Sequence, residues 1–83
     1  MTIMYDEIFS RLKEIMNEEV GLDTASIKPD AMIVNDLDIN SLEFMNLVMV
    51  IEEEFDVFLD ENRLRGLKTV DDLVSYLTEL KNA

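Results

Sequence analysis

The stretch Asn40-Ser41-Leu42-Glu43-Phe44-Met45-Asn46-Leu47-Val48-Met49-Val50-Ile51-Glu52-Glu53-Glu54-Phe55 decides how this chain folds. Its apolar residues recur with a helical period, which predicts a helix from Ser41 to Glu54 or Phe55. Asn40 suits the cap, and Glu43 stands at the third helical position, where a carboxylate meets the positive end of the helix dipole. Phe44, Leu47, Val48, Ile51 and Phe55 share a sector about 100° wide, a core stripe. Leu42, Met45 and Met49 share another, about 60° wide, bordered by Glu52 and Glu53. A small bundle can bury one face of such a helix fully, but hardly both. Either this helix is nearly surrounded, or Leu42, Met45 and Met49 form an exposed patch that docks partners. Methionine suits the second role because its side chain is flexible and polarizable.

Three further helices are expected on either side. Met4, Ile8, Leu12 and Ile15, widened by Phe9 and Met16, predict a helix over about Thr2–Glu19. Thr2 or Asp6 would cap it, and Gly21 would stop it. Val70, Leu73, Val74, Leu77 and Leu80 predict another over Val70–Lys81, with Thr69 and Asp72 resembling a capping box. A short turn at Asp60–Arg65 follows from Asp60 as cap and Gly66 as stop, and Val57–Leu59 reads as an extended connector. Residues 21–40 are then a loop longer than compact domains usually tolerate without a function. Ile27, Met32, Ile33, Leu37 and Ile39 would pin it to the bundle. The expected fold is all-α: a four-helix bundle with three longer helices, one short one and a long first loop.

The chain has 83 residues, enough for one domain, expected to span 1–83. It contains no Cys, His or Trp. A disulfide framework, a thiolate zinc site and a Ser-His or Cys-His nucleophile are therefore excluded. With two glycines there is no phosphate-cradling glycine loop, so an enzyme in the ordinary sense is not expected. Nineteen acids against seven bases leave a net charge of −12, the wrong sign for nucleic acid. No signal peptide or membrane-length apolar run is visible, so a soluble, cytoplasmic monomer without membrane insertion is expected.

The charge is concentrated. Asp30, Asp36, Asp38, Glu43, Glu52, Glu53, Glu54, Asp56, Asp60 and Glu61 lie between Pro29 and Asn62, a span without Lys or Arg. Such a run often serves only as a solvated face. Around one amphipathic helix it is also what a docking surface for basic partners looks like, with Leu42, Glu43, Met45, Met49, Glu52 and Glu53 as its residues. Asp36, Asp38 and Asn40 have the 1, 3, 5 spacing of a calcium loop, but Ser41 and Leu47 occupy the positions that need Gly and Glu, so no metal site is assigned.

Ser41 falls in the first helical turn, where free backbone N–H groups and the dipole favour a phosphate. By itself a serine there is usually a cap. Its setting adds more. Leu37-Asp38-Ile39-Asn40-Ser41-Leu42-Glu43, the helix ending Val50-Ile51-Glu52-Glu53-Glu54-Phe55, then Asp60-Glu61 and Thr69-Val70-Asp71-Asp72-Leu73 resemble the acyl carrier protein family over nearly the whole chain. The resemblance implies a four-helix bundle in which a phosphopantetheinyl transferase moves 4′-phosphopantetheine from coenzyme A to the matching serine, Ser41. The arm's thiol then carries acyl groups as thioesters to enzymes of fatty-acid, lipid or polyketide-type synthesis with basic docking patches. It also implies an acyl chain sheltered between helices, with Val48, Ile51 and Leu64 as lining. The family usually reads Leu-Gly-x-Asp-Ser-Leu; Asp38 stands here for the glycine and Asn40 for the aspartate. That aspartate is associated with modification, so the departures favour a specialised carrier. The alternatives are a peptidyl carrier, whose usual Gly-Gly is missing, and an unmodified acidic helical adaptor.

Overall fold

The computed structural model describes residues 5–82. Four helices follow one another: α1, Tyr5–Val20; α2, Ser41–Phe55; α3, Glu61–Arg65; and α4, Val70–Lys81. A single 3-10 turn, Thr24–Ser26, interrupts the long connection between α1 and α2. α1 packs against both α2 and α4. The architecture is the expected all-α bundle with three longer helices and one short one.

Local chemistry sets most helix ends. The expected start of α1 at Thr2, with Met4 on its stripe, lies outside the described residues; Asp6 stands inside the first turn, one residue past Tyr5, and does not cap it. α1 ends where Gly21 takes φ +72°, its N–H donating to the Asn17 carbonyl at 3.0 Å. Space around the Gly21 Cα is open, so the backbone angle alone calls for glycine there. Asn40 and Glu43 form a reciprocal capping box on α2, and Thr69 and Asp72 form another on α4. Asp60 caps α3, its carboxylate accepting from the Asn62 N–H at 2.8 Å. Asp56 ends α2 in the left-handed region, φ 53°.

The core draws on every helix. Ile8, Leu12, Ile15 and Met16 meet Leu47, Val48 and Ile51 of α2, Leu64 of α3, and Val70, Leu73, Val74, Tyr76 and Leu77 of α4. Phe44 and Phe55, expected on the α2 core stripe, are only partly buried at its edge. The long loop is pinned as its composition suggested. Ile27, Ala31, Ile33, Leu37 and Ile39 are buried, and Met32 is half-buried. Its course is set by backbone pairing with the start of α4. Met32 bridges Thr69 in antiparallel fashion, and the Ile33 N–H donates to the Lys68 carbonyl at 2.9 Å. In return the Val70 and Asp71 N–H groups donate to the carbonyls of Ala31 and Pro29, at 3.0 and 2.8 Å. Asp36 folds the loop back on itself, its carboxylate accepting from the Met32 N–H at 2.7 Å and its own N–H donating to the Met32 carbonyl at 2.9 Å.

Val57–Leu59 is an extended connector, as expected, and it is anchored at two points. The Leu59 N–H donates to the Glu52 carboxylate at 2.8 Å, and the Asp60 N–H donates to the buried Tyr76 hydroxyl at 3.0 Å. No described helix is long and apolar enough to cross a membrane.

Candidate functional site

The turn that leads into α2 carries an unusual backbone angle. Asp38 occupies the left-handed region at φ 54°, where an L-residue is strained and glycine is the usual solution. Asp and Asn are the side chains that tolerate this region best, which explains how Asp38 stands in for glycine. The chain then turns so that Ile39 is buried and Asn40 caps the helix. The Asn40 side-chain oxygen accepts from the Glu43 N–H at 2.8 Å, and the Glu43 carboxylate accepts from the Asn40 N–H at 3.2 Å. Phe44 begins the helical ladder, its N–H donating to the Asn40 carbonyl at 2.9 Å.

Ser41 is thus the first residue of a fifteen-residue helix, with its side chain exposed. Among the described residues no group accepts from the Ser41 or Leu42 N–H. Two free donors and the positive end of the dipole suit a phosphate ester at this hydroxyl. Beside Ser41 opens a cleft of about 330 Å³. Ile33, Val34 and Ile39 of the loop, Phe44 and Met45 of α2, and Leu64 and Leu67 form its apolar walls, and Asn40, Glu61 and Arg65 are its polar members. The arrangement offers a hydroxyl anchor at the rim of an apolar recess between α2 and α3, which fits a phosphate-linked arm and an apolar cargo.

Of the residues expected to line an acyl pocket, Leu64 lies in the cleft. Val48 and Ile51 do not reach it, because their helical phase turns them into the central core. The second stripe of α2 is exposed: Leu42 at 73%, Met49 at 66% and Met45 at 49%. The reading of α2 as a nearly surrounded helix therefore gives way to that of an exposed patch. Met45 belongs both to this patch and to the cleft.

The acids of α2 are not equivalent. Glu43 belongs to the capping box, Glu52 holds the Leu59 N–H, and Glu54 pairs with Arg11 at 2.6 Å. Arg11 also reaches Glu14 at 3.0 Å and Glu18 at 3.9 Å, and these carboxylates push its pKa up. Glu53 is the exposed acid of α2 without such a commitment among the described residues. Two apolar side chains that sequence periodicity did not single out also face water, Val34 at the cleft and Phe58 in the connector, the latter 82% exposed. Both lie in irregular segments, where no period exists to assign a face.

Comparison with known proteins shows the family. Residues 10–77 match the family described as the phosphopantetheine attachment site. An acyl carrier protein of Myxococcus xanthus is 42% identical over 72 residues, covering 87% of this chain and 91% of the relative. Those of Kineococcus radiotolerans and Thermotoga maritima are 44% and 40% identical, covering 88% and 87% of this chain and 90% and 89% of their own. This relationship implies a covalently attached 4′-phosphopantetheine, for which the exposed hydroxyl and free helix donors at Ser41 are chemically suited. Matched over most of its length, the chain belongs to the acyl carrier protein family, with its phosphopantetheine attachment domain.

Proposed function

We propose that Ser41 bears the phosphopantetheine arm and that the chain, acting as one domain, delivers acyl groups to partner enzymes that dock on α2. The observation that carries this reading is the exposed Ser41 hydroxyl at the start of α2, on the rim of an apolar cleft. The arm, once attached, supplies a thiol, a group this chain lacks. The chain's own residues anchor, shelter and dock. Asn40 and Glu43 hold the first turn rigid so that the Ser41 hydroxyl points to solvent at a fixed place. Phe44, Met45, Leu64 and Leu67 give an aliphatic cargo an apolar wall; Val48 and Ile51, sealed in the core, would meet it only if α2 and α3 part.

Leu42, Met45 and Met49, with Glu43, Glu52 and Glu53 at their margins, form the docking face for a phosphopantetheinyl transferase and for acyl-transferring or acyl-modifying enzymes with basic patches. Glu53 is the acid freest to serve them, and it separates docking from folding. Glu53→Lys should weaken partner binding and reduce its salt dependence while stability holds. Glu52→Lys would also release the Leu59 N–H, so a loss in that variant mixes both effects. Asn40 in place of the usual aspartate favours a specialised carrier that works in the cytoplasm as a monomer and does no catalysis alone.

Intact mass after incubation with coenzyme A and a transferase tests the assignment. The expected result is the gain of one phosphopantetheinyl group by the wild type and none by Ser41→Ala. If the wild type gains nothing with several transferases, the organism's own included, the carrier reading fails and an unmodified adaptor takes its place.

A further inference from the structure

The cleft that Ser41 helps to line is otherwise apolar except for Asn40 and for one charged pair on α3, Glu61 and Arg65. These two side chains meet at 3.2 Å and stay 75% and 73% exposed. A pair so placed is weakly held and screened by salt, so either member can exchange partners. The other arginine of α3 is engaged elsewhere: Arg63 lies 4.3 Å over the Tyr76 ring and bonds Glu79 at 3.0 Å. On the Ser41 side of the cleft, the residue before the serine is the neutral Asn40, which adds no charge to repel an anion.

Resting on the reading of Ser41 as the attachment point, we propose that Arg65 is a positioning residue that leaves Glu61 to hold the phosphodiester at the root of the arm. A phosphodiester on the Ser41 oxygen would be an anion in the same small cleft that Arg65 lines. A guanidinium offers a planar fork of N–H donors that matches two phosphate oxygens, a match Glu61 rivals only through an exposed carboxylate. Held this way, the root of the arm lies along the cleft between α2 and α3. Added salt, or a competing carboxylate from a docked enzyme, releases it.

The test uses wild type, Arg65→Gln, Glu61→Gln and Arg63→Gln, each incubated with coenzyme A and a transferase and checked by intact mass. The phosphorus NMR resonance of the phosphodiester is then followed as salt is raised, with thermal unfolding monitored alongside. The wild-type resonance should move with salt. Arg65→Gln should place it from the outset where wild type arrives at high salt, and should abolish the salt response. Glu61→Gln should displace it in the opposite direction, and Arg63→Gln should leave it in place. Because Arg65 is exposed, unfolding temperatures should hardly change. A resonance that stays the same in Arg65→Gln and keeps its salt response overturns the role of Arg65 and leaves Ser41 as the anchor. No mass gain by the wild type overturns both.

Discussion

The N-termini of α2 and α4 begin from the same motif and end in different environments. Each carries a reciprocal capping box, Asn40 with Glu43 and Thr69 with Asp72. At α4 the remaining donors are closed off, because the Val70 and Asp71 N–H groups are held by the carbonyls of Ala31 and Pro29. At α2 the equivalent groups, those of Ser41 and Leu42, have no acceptor among the described residues and lie beside the cleft. A helix end sealed by backbone fastens a loop; one left open beside a recess offers its donors to an anion. The capping motif alone does not distinguish the two roles. What packs over the end does.

The largest test of this contrast is burial. Leu73→Ala, at a fully buried position in the first turns of α4, should lower stability by about 2–5 kcal/mol in urea unfolding. Leu42→Ala, in the exposed first turn of α2, should stay within about 0.5 kcal/mol. Equal losses would mean that the α2 end is as enclosed as that of α4.

The caps should differ in the same direction. Replacing a cap by alanine costs roughly 0.5–2 kcal/mol. Thr69→Ala should fall at the upper end, because the Asp72 N–H is left without an acceptor in a part-buried setting. Asn40→Ala should fall at the lower end, since water reaches the donors it frees.

A smaller effect follows from pH, and it acts on the α4 end. The Tyr5 hydroxyl donates to the Asp71 carboxylate at 2.6 Å, and partial desolvation, with that anion beside it, pushes its pKa from 10.0 up to about 12. A raised folded-state value stabilises fully below pH 10 and loses its contribution as pH climbs from 10 to 12. Alkaline unfolding should show this loss, and Tyr5→Phe should remove it. Asp72 is shifted the other way, held below the usual carboxylate range by the backbone N–H groups of Lys68 and Thr69. Its contribution is present above that range and disappears on acidification, so Asp72→Asn should flatten the acid limb.

Asp38→Gly should also have a small effect. Glycine relieves the left-handed strain at φ 54° but adds freedom to the unfolded chain, and the two should cancel to within about 1 kcal/mol. A loss well beyond that would show that the Asp38 side chain itself holds Ser41 in position.

Much of this was legible without coordinates. Gly21, Asn40 with Glu43, Asp60, and Thr69 with Asp72 marked helix ends because capping is a contact between residues a few positions apart. The two stripes of α2 were legible because helical phase follows from spacing alone, and the exposed one bears Leu42, Met45 and Met49 on the outside. Of the cleft's lining, only Leu64 was legible. Val48 and Ile51 have the apolar character a pocket needs, yet they point into the core, while Val34, Phe44 and Leu67 line the recess. Glu52 looked like one acid among several, and its bond to the Leu59 N–H depends on how the connector returns to α2.

Spacing and composition within a few turns of chain were enough to specify the helices, the caps of α2, α3 and α4, the run of acids and the serine at the head of α2. Long-range packing alone settled which helix end is sealed and which stays open, and which apolar side chains form a cleft instead of a core. Those outcomes depend on residues far apart, as when Ala31 meets Val70 or Ile33 meets Lys68. Such pairings form only once the whole bundle closes and places distant backbone groups side by side.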